Sequence, residues 1–263
     1  MGSATTQALE AARSALSAAP GPVPMSTGAE LLSAGRLIGG SKQLASAIAD
    51  PSASAEQKRV LADRIFGALE EQPRGLLDVL VANRWSSGVD LLAGIEEIGI
   101  RAVARSADAG TDIVGELFAF GAAVTSDAEL ELAVVSKLGD ADAKLALVDA
   151  LLAGKASEQT LVIVRHLVQQ PRGRRIGALL RDAAEIVASE AGSRIATVTA
   201  AQPLASEQLQ RLRAGLAARY GQLTINLVVD PTIIGGLRVQ VGNDVIDDTV
   251  ASKLGELRLQ LAG

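Results

Sequence analysis

The chain has no cysteine and only one histidine, His166, among its 263 residues. A thiol nucleophile, a disulfide framework, an iron–sulfur cluster and a Cys/His zinc centre are all excluded. So is any site that needs two histidines. Aromatics are nearly as scarce: three Phe, Trp85 and Tyr220. That is too few for a platform that stacks single-stranded nucleic acid. Positive charge is not in excess either. The formal net charge is −5, which argues against nucleic acid as a partner. No apolar run approaches the roughly 18 residues of a membrane span. Met1 to Ala19 shows no basic segment followed by an apolar one, so no secretory leader is expected. The default expectation is a cytoplasmic protein without metal or cofactor.

What is present is aliphatic. Apolar residues make up 48% of the chain, enough to bury a sizeable core. The first 190 residues read as helices. Residues 5–18 form an alanine-rich stretch that stops at Pro20-Gly21-Pro22-Val23-Pro24. Ser26 or Thr27 is placed to cap the next helix, with Leu31, Leu32, Leu37 and Ile38. Gly39-Gly40-Ser41 interrupts it, a short helix runs through Ile48, and Asp50-Pro51 is a stop signal. Ser54 with Gln57 makes a capping-box pattern. The helix after it carries Leu61, Ile65 and Leu69 at four-residue spacing. Further helices are expected at 74–83, 88–107, 111–124, 127–138, 141–153, 157–169 and 174–190.

An internal repeat lies within these helices. An ungapped shift of 86 positions lays Glu30-Leu31 on Glu116-Leu117, Gly35 on Gly121 and Leu44 on Leu130. It also lays Ala55, Lys58, Leu61 and Asp63 on Ala141, Lys144, Leu147 and Asp149. Two related helical bundles are therefore expected, at 1–88 and 89–192.

After Gly192 the composition changes. Ile195 to Thr199 is β-branched and reads as a strand. Ser206 is placed to cap a helix with Leu209, Leu212 and Leu216 on one face. Leu223, Ile225, Leu227 and Val229 alternate as a half-buried strand. Gly235-Gly236 leads into Leu237, Val239 and Val241, with Arg238 and Gln240 facing the other way. Gly242-Asn243 turns the chain into a short strand at Val245-Ile246. Asp248 is expected to cap a last helix with Val250, Leu254, Leu257 and Leu261. The expected architecture is mostly α, two duplicated bundles followed by a small α+β module at 193–263, a sheet with flanking helices.

The search for chemistry finds little. Gly35 to Lys42 resembles a phosphate-binding loop, but Ser and Lys stand in the wrong order and no strand precedes it. The glycines at 235–242 lack the dinucleotide fingerprint and suit a bulge or a close backbone approach. Asp140, Asp142, Asp244, Asp247 and Asp248 read as turns and helix caps rather than a calcium site. His166 sits in an apolar helical stretch with no nucleophile beside it, so a structural role is expected. Arg172, Arg174 and Arg175 form either a solvated loop or a surface for an acidic partner. Trp85 is core or a contact anchor. Helical bundles with apolar grooves suit recognition of partner helices.

One resemblance is specific. Val198 to Leu204, the stretch Val229 to Gly242 with Asp230-Pro231, Gly235-Gly236 and Val239-Gln240-Val241-Gly242, then Val245 to Val250 with Asp247, and Leu254, resemble the delta subunit of bacterial F-type ATP synthases. The mitochondrial counterpart is the oligomycin-sensitivity-conferring protein. Lys58 to Phe66, with Asn83-Arg84, resembles the family's N-terminal domain. Ala200, Asn243 and Asp248-Thr249 depart from the usual residues at turn and cap positions. The doubled helical part resembles the long form of high-GC Gram-positive bacteria. The resemblance implies a non-catalytic subunit of the peripheral stalk, one copy per complex. It would join N-terminal helices of the alpha subunits to a b-type stalk subunit. It would lie at the cytoplasmic face of the bacterial plasma membrane, held there only indirectly, with no cofactor. The family groove points to Trp85, Ile95, Ile98, Arg172, Arg175 and Leu179 as contact residues. A general helical-bundle adaptor, unrelated to ATP synthesis, is the alternative.

Overall fold

The computed structural model describes residues 2–135 and 140–254. They divide into two compact units, 1–187 and 188–263. The first unit is helical: α1 (Ser3–Ser17), α2 (Met25–Gly40), α3 (Lys42–Ala49), α4 (Ala55–Phe66), α5 (Glu71–Ala82), α6 (Gly88–Arg105), α7 (Ile113–Thr125), α8 (Ala128–Val135), α9 (Ala141–Leu152), α10 (Glu158–Gln169) and α11 (Ile176–Glu190), whose last residues pass into the second unit. The helix expected at 127–138 ends within residues that lie outside the described ones.

Local chemistry sets the breaks. Ser41 Oγ accepts from Leu44 N–H at the start of α3. Ser54 and Gln57 form the expected capping box on α4, each side chain accepting the other's backbone N–H. Three expected caps are corrected. α2 starts one residue after Pro24, which holds the N-cap position. Ser26 Oγ instead donates to Glu70, and the Thr27 hydroxyl to Gln72. In the C-terminal unit, Ala205 rather than Ser206 holds the N-cap, because Gln208 reaches back to accept the Ala205 N–H.

One core runs through the first six helices. Leu9 and Leu16 of α1, Leu31 and Ile38 of α2, Leu77 and Leu80 of α5, and Leu91, Ile95 and Ile98 of α6 belong to it. No division falls at 88/89. α6 begins there and its apolar face completes the core of the five helices before it. α2 and α6 cross closely, because Gly28 meets the Gly99 carbonyl and Val103 where any side chain would collide.

The helices recur at the spacing of the sequence repeat. α7 to α10 follow the order of α2 to α5, and α9 and α10 match α4 and α5 at 12 residues each. Ser54 caps α4 and Asp140 caps α9. A side chain at Gly35 would crowd Ile95 of α6, and one at Gly121 would crowd Leu180 of α11. Glu30 accepts the N–H of Glu70, the residue capping α5. Glu116 accepts the N–H of Ser157, the residue capping α10.

The C-terminal unit holds β1 (Arg194–Ala200), α12 (Ser206–Tyr220), β2 (Leu223–Val229), β3 (Leu237–Val241) and β4 (Asp244–Asp247). The sheet order is β2-β1-β3-β4. β1 and β2 are parallel, which requires the crossover that α12 supplies. β3 runs antiparallel to β1 and to β4. Ala196, Val198, Val239 and Val241 face Leu212 and Leu216 of α12. The alternation expected in β2 holds only in part. Leu223 and Ile225 pack on the core, whereas Leu227 and Val229 are exposed. Residues 250–254 are helical. Thr249 rather than Asp248 caps them, its hydroxyl accepting from Ser252 N–H. Asp248 pairs with Lys253 at 2.7 Å. Leu257 and Leu261 lie outside the described residues.

Candidate functional site

The residues of the C-terminal signature form a fastening. Asp230 accepts the Thr232 N–H at 2.9 Å and its hydroxyl at 2.6 Å. These bonds hold its carboxyl below the ordinary value. The Asp230 N–H donates to the Ala200 carbonyl, which ties the end of β2 to the end of β1. Pro231 follows on the surface of this turn. The Gly235 carbonyl accepts from Val250 N–H, and the Leu237 carbonyl from Asp248 N–H. Gly236 has φ 85°, and a Cβ there would strike the Asp248 carbonyl. Asp247 accepts the Thr249 N–H and hydroxyl, which lower its carboxyl in the same way. Val239 and Val241 are core, Gly242 turns with φ 58°, and Leu254 is exposed. The Gly-Gly pair therefore lets the chain before β3 lie directly against the chain after β4.

The sheet face away from α12 is polar. Thr197, Thr199, Thr232, Arg238, Gln240 and Thr249 line a shallow depression of about 490 Å³. It presents hydroxyls, one amide, one guanidinium and the Asp230 and Asp247 carboxylates, each already accepting from a neighbouring threonine, a set suited to hydrogen bonding a partner.

In the helical unit, two adjacent acids on α6 serve opposite sides. Glu97 accepts from Arg13 of α1 and from Arg101. Glu96 accepts from His166 of α10 at 3.2 Å, from Arg172 at 2.7 Å and from Arg174 at 2.8 Å. Burial pushes the Glu96 carboxyl up, but these donors outweigh it and its value falls below the ordinary one. His166 is pushed down, first by burial and further by Arg36 and Arg172, against the pull of Glu96. Arg36 lies 3.1 Å from His166 Nδ1. A guanidinium can only donate, so Nδ1 is the acceptor. The proton of the neutral ring then sits on Nε2, facing Glu96.

The residues expected as contacts separate. Trp85, Ile95, Ile98 and Leu179 are buried. Trp85 donates its Nε1–H to the Leu80 carbonyl at 2.7 Å, and its ring lies on Gly94. Arg172 is held by Glu96, with one Nη unpartnered among the described residues. Arg175 is exposed. The basic cluster is therefore split: two arginines brace α6 and one faces outward. The segment that resembles a phosphate loop is α-helical through Gly40, so its N–H groups serve the helix. Glu96 and Arg36 did not stand out in the sequence. The one available signal was the Glu96-Glu97 pair inside the apolar stretch Gly88–Val103.

A family model described as ATP synthase delta (OSCP) subunit matches residues 100–261. The ATP synthase subunit delta of Leifsonia xyli subsp. xyli is 53% identical over 263 residues, covering all of both chains. That of Streptomyces griseus subsp. griseus is 39% identical over 271 positions, again covering all of both. That of Streptomyces avermitilis is 37% identical over 238 residues, covering 89% of this chain and 87% of that one.

Proposed function

The chain belongs to the ATP synthase delta (OSCP) subunit family, a non-catalytic class of ATP synthase subunit, and from that premise we propose that it is a stator element of the peripheral stalk. In this reading it joins N-terminal helices of the alpha subunits, at the top of the catalytic head, to a b-type stalk subunit. One copy per complex holds the head still while the rotor turns. It sits at the cytoplasmic face of the bacterial plasma membrane and associates with the membrane only through the complex. No helix among the described residues is long and apolar enough to cross a membrane.

The observation that carries this reading is the match itself. Residues 100–261 take in the second set of helices and the whole C-terminal signature. Residues 1–99 are then an additional set, and the repeat between α2–α5 and α7–α10 makes them a duplicate of it. The two related bundles expected at 1–88 and 89–192 thus share α6, which carries Glu97 toward α1 and Glu96 toward α10. A strut that resists torque benefits from such shared packing. Several separate contacts on one chain also raise its hold on the complex by avidity.

Within this reading, grooves beside α6 and α11 receive an alpha-subunit helix, with Arg175 at the rim. The polar sheet face of the C-terminal unit meets the stalk. Crosslinking within the membrane-bound synthase tests the assignment. Alpha-subunit crosslinks beside α6 or α11, and b-type crosslinks on the C-terminal unit, are expected. Alpha-subunit crosslinks found only elsewhere reject it.

A further inference from the structure

A cleft of about 330 Å³ opens between α2, α9 and α10. That is within the range of small-ligand sites. Leu32, Leu145 and Val162 supply its apolar lining, and Arg36, the buried His166, the exposed Gln169 and the Asp149–Arg165 pair its polar lining. The charges there do not balance. Asp149 is fully engaged by Arg165 through two bonds of 2.7 and 2.6 Å. His166 is neutral, as derived above. Arg36 is half-buried, and burial pulls its guanidinium below the ordinary value. Its recorded partner among the described residues is the uncharged Nδ1 of His166. A guanidinium offers five N–H donors in a planar fork, and the ring nitrogen occupies one.

A partly desolvated cation without a counter-ion is costly, and an incoming anion recovers that cost. We propose that this cleft binds a carboxylate carried on an apolar stem, with Arg36 taking the carboxylate and Leu32, Leu145 and Val162 covering the stem. One uncompensated charge matches one carboxylate; a doubly charged phosphate would leave a buried excess. The carboxylate comes either from a free organic acid or from an Asp or Glu side chain on a partner segment. The cleft is lined by α2, α9 and α10, and the proposal does not depend on the stator role.

His166 is the chain's one histidine, so its ring is a unique reporter beside the site. Drawing Arg36 onto a carboxylate weakens its bond to Nδ1 and moves the Nδ1 nitrogen resonance. The test titrates the full chain, labelled with ¹⁵N and with ¹³C at its Leu and Val methyls, with hexanoate, with acetate, and with an alanine–leucine helical peptide bearing one Glu. Saturable shifts of His166 and of the Leu32 and Val162 methyls are expected, with hexanoate stronger than acetate. Arg36→Gln keeps an N–H donor toward Nδ1 but loses the charge, and should weaken binding roughly tenfold or more. Saturation at lower concentration by the peptide, with its Gln version inert, assigns the carboxylate to a partner side chain; by hexanoate, to a free acid. Unsaturable shifts, equal response to acetate and hexanoate, or equal binding by the Arg36→Gln chain would overturn the proposal. Should that variant fail to fold, the methyl shifts of the wild-type chain decide alone: hexanoate must move Leu32 and Val162.

Discussion

His166 Nε2 lies 3.2 Å from the Glu96 carboxylate, joining α10 to α6 with both side chains almost entirely buried. This contact links the duplicated helices to the bundle before them. Both of its groups have shifted proton affinities.

Burial depresses His166 despite Glu96. The unfolded chain therefore binds this proton more readily than the folded one. The contribution to stability is complete above the ordinary histidine value of about 6.5 and is lost as the pH falls toward the folded value. The depressed Glu96 acts in the same direction at lower pH. The melting temperature should be flat from about pH 8 to 7 and decline below about 6.5. In His166→Gln the decline between about 6.5 and 5 should flatten; an unchanged slope there would place the proton uptake elsewhere.

Glu96→Gln removes the anion that Arg172 and Arg174 share. Leaving the partly buried Arg172 without its anion, and Arg174 with only the exposed Asp182, should cost about 3 kcal/mol, read as a shift in the urea midpoint. The same variant should drive the His166 titration lower still, because the one group that raises it is gone. A stability loss without that second shift would mean that packing, not charge, is responsible.

Glu116 should outweigh Glu30 at the equivalent position. Glu116 accepts from Ser157 N–H, from the Ser157 hydroxyl and from the Thr160 hydroxyl, whereas among the described residues Glu30 accepts the Glu70 N–H and no side-chain hydroxyl. Glu116→Ala should cost about 2 kcal/mol and Glu30→Ala about 1. Equal losses would show that the hydroxyl bonds add nothing.

Gly236→Ala should unseat the C-terminal fastening. Its φ of 85° is unfavourable for alanine, and the new methyl meets the Asp248 backbone. Gly242→Ala shares the conformation, with φ 58°, but has open space around it. The expected losses are about 3 kcal/mol for the first and about 1 for the second, measured by denaturant unfolding.

The helices were legible because their signals are local. Ser54 with Gln57, Gly39-Gly40-Ser41 and the leucine spacings act within a few residues. The close approach expected at Gly235-Gly236 was legible too, since only glycine tolerates it. The missed caps failed where nearby residues competed: Pro24 fixed the start of α2 two residues ahead of Ser26, and Thr249 displaced its neighbour Asp248. The Glu96 cluster was not legible because its members lie on α6, on α10 and in the loop before α11. Charge in a loop reads as solvated until a buried acid is found facing it. Trp85 was ambiguous for a similar reason: it lies in the loop between α5 and α6, and Gly94, which receives its ring, is on α6. The repeat was visible in the residues, but α6 serving both of its sides was not, because the two uses are carried by neighbours, Glu97 and Glu96.

The stator role is tested most directly by measuring ATP hydrolysis and ATP-driven proton pumping in membranes from cells lacking this chain. Hydrolysis should persist while pumping and ATP synthesis are lost, and both should return when the chain is added back. Coupled proton pumping that survives without the chain would contradict the role.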